Sequence, residues 1–222
     1  MERLVILTVG HSSRTWEAFL QLLRAARVKR VVDVRTIPRS RRNPQFIRET
    51  LSARLRARGI GYVWLRRLGG LRHARRDSQN TGWQNASFRG FADYMQTTEF
   101  EAGLERLLKL ARQKRSALMC AEAVPWSCHR SLIADALLVR GISVEHIMSG
   151  KRLRAHSLTP FARVRGEMIT YPGVSQENVP TAEDLKSRQR FYRKLQGLRS
   201  PSPRARGSFP STEKLLREDR SR

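Results

Sequence analysis

Two cysteines in 222 residues are too few for a disulfide scaffold. Nor does any apolar run approach the roughly 18 residues that a membrane helix needs. Met1–Val9 has strand character but lacks the small-residue cleavage site of a secretory signal. The expectation is a cytoplasmic protein with reduced thiols and no membrane partner. Acidic residues are scarce: 19 Asp and Glu face 44 Lys and Arg, for a net charge of +25. Lysine is scarce too, with arginine outnumbering it about five to one. Base composition of the coding sequence can produce that ratio without selection for a polyanion. Even so, such a surface attracts phosphate polymers, so nucleic acid or a nucleotide is the expected partner.

What is present suffices for one hydrophobic core, with 40% hydrophobic residues. Short apolar runs at Leu4–Val9, Val31–Val34, Tyr62–Leu65, Ala117–Cys120 and Ser143–Ile147 predict five strands. Between them lie helical patterns. One follows Thr15, with Trp16, Phe19, Leu20, Leu22 and Leu23 at helical spacing. Others cover Phe46–Arg58, Phe88–Met95, Glu99–Gln113 and Ser127–Arg140. The strands are apolar throughout, as in sheets covered on both faces. The fold class is therefore α/β: three layers, a mainly parallel sheet of about five strands, helices on both faces, and a basic C-terminal extension. Residues 1–150 make the α/β domain, 151–175 a segment packing on it, and 176–222 a basic, largely flexible tail. The tail holds 12 basic and 6 acidic residues, which leaves +19 of the +25 on the rest of the chain.

Open parallel sheets bind ligands beyond the carboxyl ends of their strands, and the chemically capable residues gather there. His11 and Ser12 follow the first strand, Asp33 and Arg35 end the second, Tyr62 lies on the third, and Cys120 and Glu122 end the fourth. Cys128, His129 and Arg130 occupy the expected first turn of the next helix, and Arg41 stands with Arg39 and Arg42 in the loop after strand two. Three readings of the Cys128–Arg130 turn stay open. Free N–H groups and the helix dipole would favour an anion, with Arg130 as a clamp. A thiol there would be an activated nucleophile. Cys120, Cys128, His129 and His11 would alternatively hold a metal, although Cys-x7-Cys-His is not a standard zinc spacing. No metal or cofactor is assigned. Neither cysteine begins a Cys-x5-Arg motif, which counts against a phosphocysteine mechanism. Each residue also has a structural reading: Asp33 paired with Arg35, Cys120 as a small core residue, the aromatics as core.

The motifs also form an ordered set: Thr8-Val9-Gly10-His11-Ser12; Asp33-Val34-Arg35 with Pro38, Ser40 and Arg41; Gly59-Ile60-Gly61-Tyr62; Leu68-Gly69-Gly70; Phe91-Ala92-Asp93-Tyr94-Met95; and Cys120-Ala121-Glu122 with Cys128-His129-Arg130. This set resembles the DUF488 family, a prokaryotic domain of unknown function, over about residues 4–148. The resemblance implies an α/β domain. It also implies one shared site at His11, Ser12, Asp33, Arg35, Tyr62, Cys120, Glu122, Cys128, His129 and Arg130.

The expectation is an enzyme acting on a nucleotide or nucleic acid, hydrolase- or glycosidase-like. Its catalytic candidates are Glu122, Asp33, His11, Cys120 and Cys128. Its substrate- and phosphate-binding candidates are Ser12, Arg35, Arg41, Tyr62, His129 and Arg130. The alternatives are a non-catalytic nucleic-acid-binding protein and a Cys/His metal or redox protein.

Overall fold

Valine- and leucine-rich segments with no interior Pro form the centre of the molecule, as β-propensity and burial on both faces require. A computed structural model describes residues 4–150 and 152–173. In chain order the elements are β1 (Val5–Gly10), α1 (Trp16–Ala25), β2 (Arg30–Asp33), α2 (Arg48–Arg56), β3 (Gly61–Trp64), α3 (Ala86–Tyr94), α4 (Thr98–Gln113), β4 (Ser116–Cys120), α5 (Arg130–Val139), β5 (Ser143–Ser149), β6 (Arg152–Ala155), β7 (Arg163–Arg165) and β8 (Met168–Thr170). The main sheet runs β3-β2-β4-β1-β5-β6. The first five of these are parallel, and β6 adds antiparallel to β5 at the edge.

Strand alternation divides the core. Leu7 and Val9 of β1, Val31 of β2, and Ala117 and Met119 of β4 share one face. They pack there with Phe19 and Leu23 of α1 and with Phe46, Leu51 and Leu55. On the opposite face Thr8 meets Arg130 of α5. Phe91 of α3 packs there on both Phe100 of α4 and the ring of His129. The result is a three-layer α/β fold with a mainly parallel sheet.

The helices begin where the sequence supplies caps. Thr15 accepts from Ala18 N at 3.2 Å, Asn85 from Ser87 N at 2.9 Å, and Thr97 from Phe100 N at 3.3 Å. Two starts differ from expectation. A short 3₁₀ turn at Pro44–Phe46 precedes α2, and another at Pro125–Ser127 precedes α5. Prolines explain both, since each opens a turn that cannot propagate upstream. Cys128 therefore does not lie in the first turn of α5. It is an extended residue (φ −139°, ψ 144°) between the turn and the helix, and His129 is the N-cap.

The segment after residue 150 contributes more than the sequence suggests. It supplies β6 to the main sheet and a β7–β8 hairpin. Tyr171 is fully buried, and the described residues through Gly173 form one unit. The expected flexible tail, 176–222, lies outside the described residues.

Candidate functional site

The central strands end together, and backbone bonds tie their exits. His11 N donates to Cys120 O at 3.0 Å, Ser12 N to Ala121 O at 2.7 Å, and Val34 N to Met119 O at 3.0 Å. Gly10 makes the closeness possible, because a Cβ there would overlap the backbone carbonyl of Glu122. Ser12 takes φ 47°, a left-handed conformation that serine rarely adopts.

On this edge Asp33 anchors a buried network. Its carboxylate accepts from Arg35 Nε at 2.9 and 3.2 Å, from Arg35 Nη2 at 2.6 Å, from Arg35 N at 3.0 Å and from the Tyr62 hydroxyl at 2.7 Å. Arg35 passes a further donor from Nη1 to His11 Nε2 at 3.2 Å. His11 Nδ1 donates to the Ser12 carbonyl at 2.8 Å, so the ring is the neutral Nδ1–H tautomer. Phe46 stacks on it with centroids 4.2 Å apart. Burial, followed by the charge of Arg35, lowers the His11 pKa to about 4. Burial alone would lower the Arg35 guanidinium, but the hydrogen bonds and charge of Asp33 outweigh it and raise the group. Burial and the Asp33 charge push the Tyr62 phenol up.

Next to this network lie the two free thiols. His129 Nδ1 is 3.6 Å from Cys128 Sγ and 3.9 Å from Cys120 Sγ. The ligand atoms of these three residues all lie within 4.8 Å of one another. His129 Nε2 donates to the Val34 carbonyl at 3.1 Å, which turns the Nδ1 lone pair toward the sulfurs. Behind them, Arg130 is completely buried. Its Nε donates to Cys128 Sγ at 3.4 Å, its Nη1 to Thr8 Oγ1 at 3.3 Å, and its Nη2 to the Glu122 carbonyl. Burial by itself would raise the Cys128 thiol. A hydrogen bond from Cys120 and the charge of Arg130 outweigh that and hold Cys128 well below the usual thiol range. Cys120 is raised because it donates to Cys128 and because it is buried.

The network continues through the sheet. Thr8 Oγ1 bonds His146 Nδ1 at 2.8 Å, His146 Nε2 bonds His156 Nδ1 at 3.1 Å, and His156 Nε2 bonds Asp135 Oδ1 at 2.8 Å. Donors run one way from Arg130 to Asp135 if both histidines are neutral, each accepting at Nδ1 and donating from Nε2. Asp135 also accepts from Thr159 Oγ1 at 2.7 Å and Tyr171 OH at 2.8 Å.

The family model described as a domain of unknown function, DUF488, matches residues 15–137. The chain belongs to the DUF488 family. The match includes Asp33, Arg35, Arg41, Tyr62, Cys120, Glu122, Cys128, His129 and Arg130, whereas His11 and Ser12 precede it. No curated protein and no solved structure matches the chain. Among the described residues, no helix is long and apolar enough to cross a membrane.

In this DUF488 protein the sequence candidates separate by access. Asp33, His11, Arg35, Cys120, Cys128 and Arg130 are buried; Ser12, Tyr62 and His129 are partly buried; Glu122 and Arg41 are exposed. Glu122 is thus not the buried carboxylate that a position just after an interior strand suggests. Its carbonyl accepts from Arg130 and lies against Gly10. Arg35 and Arg130 direct donors to interior partners, away from any external phosphate. Of the aromatics, Trp83 and Phe91 are core, and Trp83 packs on Phe161 and Tyr171. Arg48 covers Trp64 and Arg72 covers Tyr94.

Sequence reasoning missed Asp135, His146 and His156, and named Thr8 and Asp93 only as motif residues without a place in the site. Asp93 orders the segment between β3 and α3 by accepting from Arg75 N, Ser78 Oγ and Asn80 Nδ2. The available signal was a polar residue inside an apolar pattern, as with Asp135 between Ala134 and Ala136.

Proposed function

We propose that this DUF488 protein is an enzyme acting on a nucleotide or nucleic acid, with a hydrolase- or glycosidase-like reaction at the carboxyl edge of its sheet. One observation carries the reading. An exposed carboxylate, Glu122, follows central strand β4, and exposed Arg39, Arg41 and Arg42 stand on the loop leaving the neighbouring strand β2. A general base must reach its proton, and phosphate-holding cations must reach phosphate. Glu122 and these arginines meet that condition, unlike the buried Asp33, Arg35 and Arg130. In this reading Glu122 takes the proton of the attacking water and the loop arginines hold phosphate. The Asp33–Arg35–His11–Tyr62 network keeps the edge rigid beneath them.

Nucleotides, nucleosides and short DNA and RNA oligomers incubated with the full chain test it by product analysis. Glu122→Gln should lower turnover by about a hundredfold or more, the scale of general base catalysis, with no change in melting temperature. Retained turnover would remove Glu122 from the role. Replacing Arg39, Arg41 and Arg42 by Ala should flatten the salt dependence of binding, by about 0.9 in logarithmic slope for each phosphate no longer neutralised. The inward-facing bonds of Asp33, Arg35 and Arg130 favour a second reading, non-catalytic nucleic-acid binding. Wild-type binding without turnover, unaffected by Glu122→Gln, selects that reading instead.

A further inference from the structure

We infer that Cys120, Cys128 and His129 bind one zinc-type divalent cation, with two thiolates and one imidazole from the protein and a fourth position left for an external ligand. Bond lengths decide the geometry. Zinc–sulfur bonds of about 2.3 Å and zinc–nitrogen bonds of about 2.0–2.1 Å at the tetrahedral angle place S and N ligand atoms roughly 3.6 Å apart. The observed separations from His129 Nδ1 are 3.6 Å to Cys128 Sγ and 3.9 Å to Cys120 Sγ. The nitrogen thus stands near tetrahedral-ligand distance from both sulfurs, and all three donor atoms lie within 4.8 Å of one another.

The surroundings point the same way. A metal-binding histidine normally donates its second ring nitrogen to a carbonyl or carboxylate, which fixes tautomer and orientation. His129 does so through Nε2 to the Val34 carbonyl. The ring is held from both sides: Phe91 packs on it at 5.0 Å, and a Cβ at Gly70 would overlap it. Arg130 Nε donates to Cys128 Sγ at 3.4 Å, a partner that favours the thiolate a metal requires. Two thiolates and one imidazole suit zinc and related borderline-soft cations, and not magnesium or calcium. Three protein ligands, with no fourth donor in the cluster among the described residues, match open sites, not closed structural ones.

The main competitor is a redox dithiol. Oxidation would join the sulfurs in a neutral disulfide and take from the buried Arg130 the group that can balance its charge. The metal leaves thiolates in place. The spacing argued against the metal reading, because Cys128 and His129 are brought to Cys120 by a 3₁₀ turn outside any standard zinc ligand pattern; His11, the fourth residue of that reading, instead bonds the Ser12 carbonyl and Arg35.

The test uses the full chain, stripped with a chelator and titrated with cobalt(II), then with zinc. One cobalt per chain is expected, with thiolate-to-cobalt charge-transfer absorption that zinc abolishes. Cys120→Ser, Cys128→Ser and His129→Ala should each weaken binding by about a hundredfold or more, beyond what loss of a supporting partner costs. Replacing the exposed His73 by Ala should change nothing. If a cysteine variant fails to fold, wild type still decides: zinc should protect both thiols from alkylation. Absence of the charge-transfer band, unchanged alkylation with zinc, or cobalt binding that survives all three replacements would overturn the inference. So would ready oxidation to a Cys120–Cys128 disulfide in protein that takes up no cobalt. None of these outcomes depends on turnover, so failure here leaves the Glu122 reading standing.

Discussion

Arg130, wholly removed from solvent, donates from Nε to Cys128 Sγ at 3.4 Å. Its other acceptors, the Thr8 hydroxyl and the Glu122 carbonyl, are neutral. Among these three partners only the sulfur can carry a negative charge. A buried cation without a counter-charge is expensive, so the pair is best understood as guanidinium and thiolate.

That pairing has a measurable signature in metal-free protein. Cys128→Ser leaves Arg130 uncompensated and should cost about 3–5 kcal/mol. Arg130→Met leaves a neutral thiol in apolar surroundings and should cost less. The double variant should be more stable than the sum of the two losses by at least about 1 kcal/mol, as residues in one network are coupled. Urea denaturation of the four proteins gives the coupling directly. Losses that add to within about 0.5 kcal/mol, as for independent sites, would mean the two groups carry no charge interaction.

Asp33 supports a second expectation. Its carboxylate is fully buried and takes three donors from the Arg35 guanidinium and main chain, along with the Tyr62 hydroxyl. Asp33→Asn strands the buried Arg35 charge and should cost about 3–5 kcal/mol. Tyr62→Phe removes one hydrogen bond to a charged acceptor and should cost about 1.5–3 kcal/mol. At this chain length the first should lower the melting temperature by roughly 10 °C and the second by about half as much. Calorimetry that reversed this order would show that Arg35 is satisfied without Asp33.

The parallel sheet was legible because each interior strand is a short apolar run closed by a turn or cap. His11, Asp33 and Cys120 were legible as a group because strand ends converge in such sheets. Access was not legible. Glu122 and Cys120 are two residues apart on the same strand exit, yet one is exposed and the other buried. Local sequence does not decide which way a loop turns its side chains. The 3₁₀ turn at Pro125–Ser127 moves Cys128 out of α5 and toward Cys120, a tertiary outcome that helical periodicity does not encode. β6 and β7 were missed because they are short, mostly exposed and carry Arg at alternate positions, as edge strands and hairpins often do, and β8 because it is only three residues long.

Two buried histidines set the response to acid. His11 is lowered to about 4, by burial and then by Arg35. His146 is lowered to about 3, by burial first and then by His156, Arg130 and Arg154. Both titrate near 6.5 when the chain unfolds. Between that value and their native values the unfolded chain binds protons that the folded chain refuses. Stability therefore rises with pH across this window and is complete above it. As pH falls below about 6.5, each histidine should remove stability at up to about 1.4 kcal/mol per pH unit, His11 down to about pH 4 and His146 to about pH 3. Urea midpoints at pH 7, 6 and 5 measure the slope, and His11→Asn and His146→Asn should each flatten it by about one proton's share. A midpoint constant from pH 7 to 5 would show that both rings accept protons inside the folded protein. The Arg35–His11 and Thr8–His146 hydrogen bonds would then need the opposite polarity, which a guanidinium donor does not allow for His11.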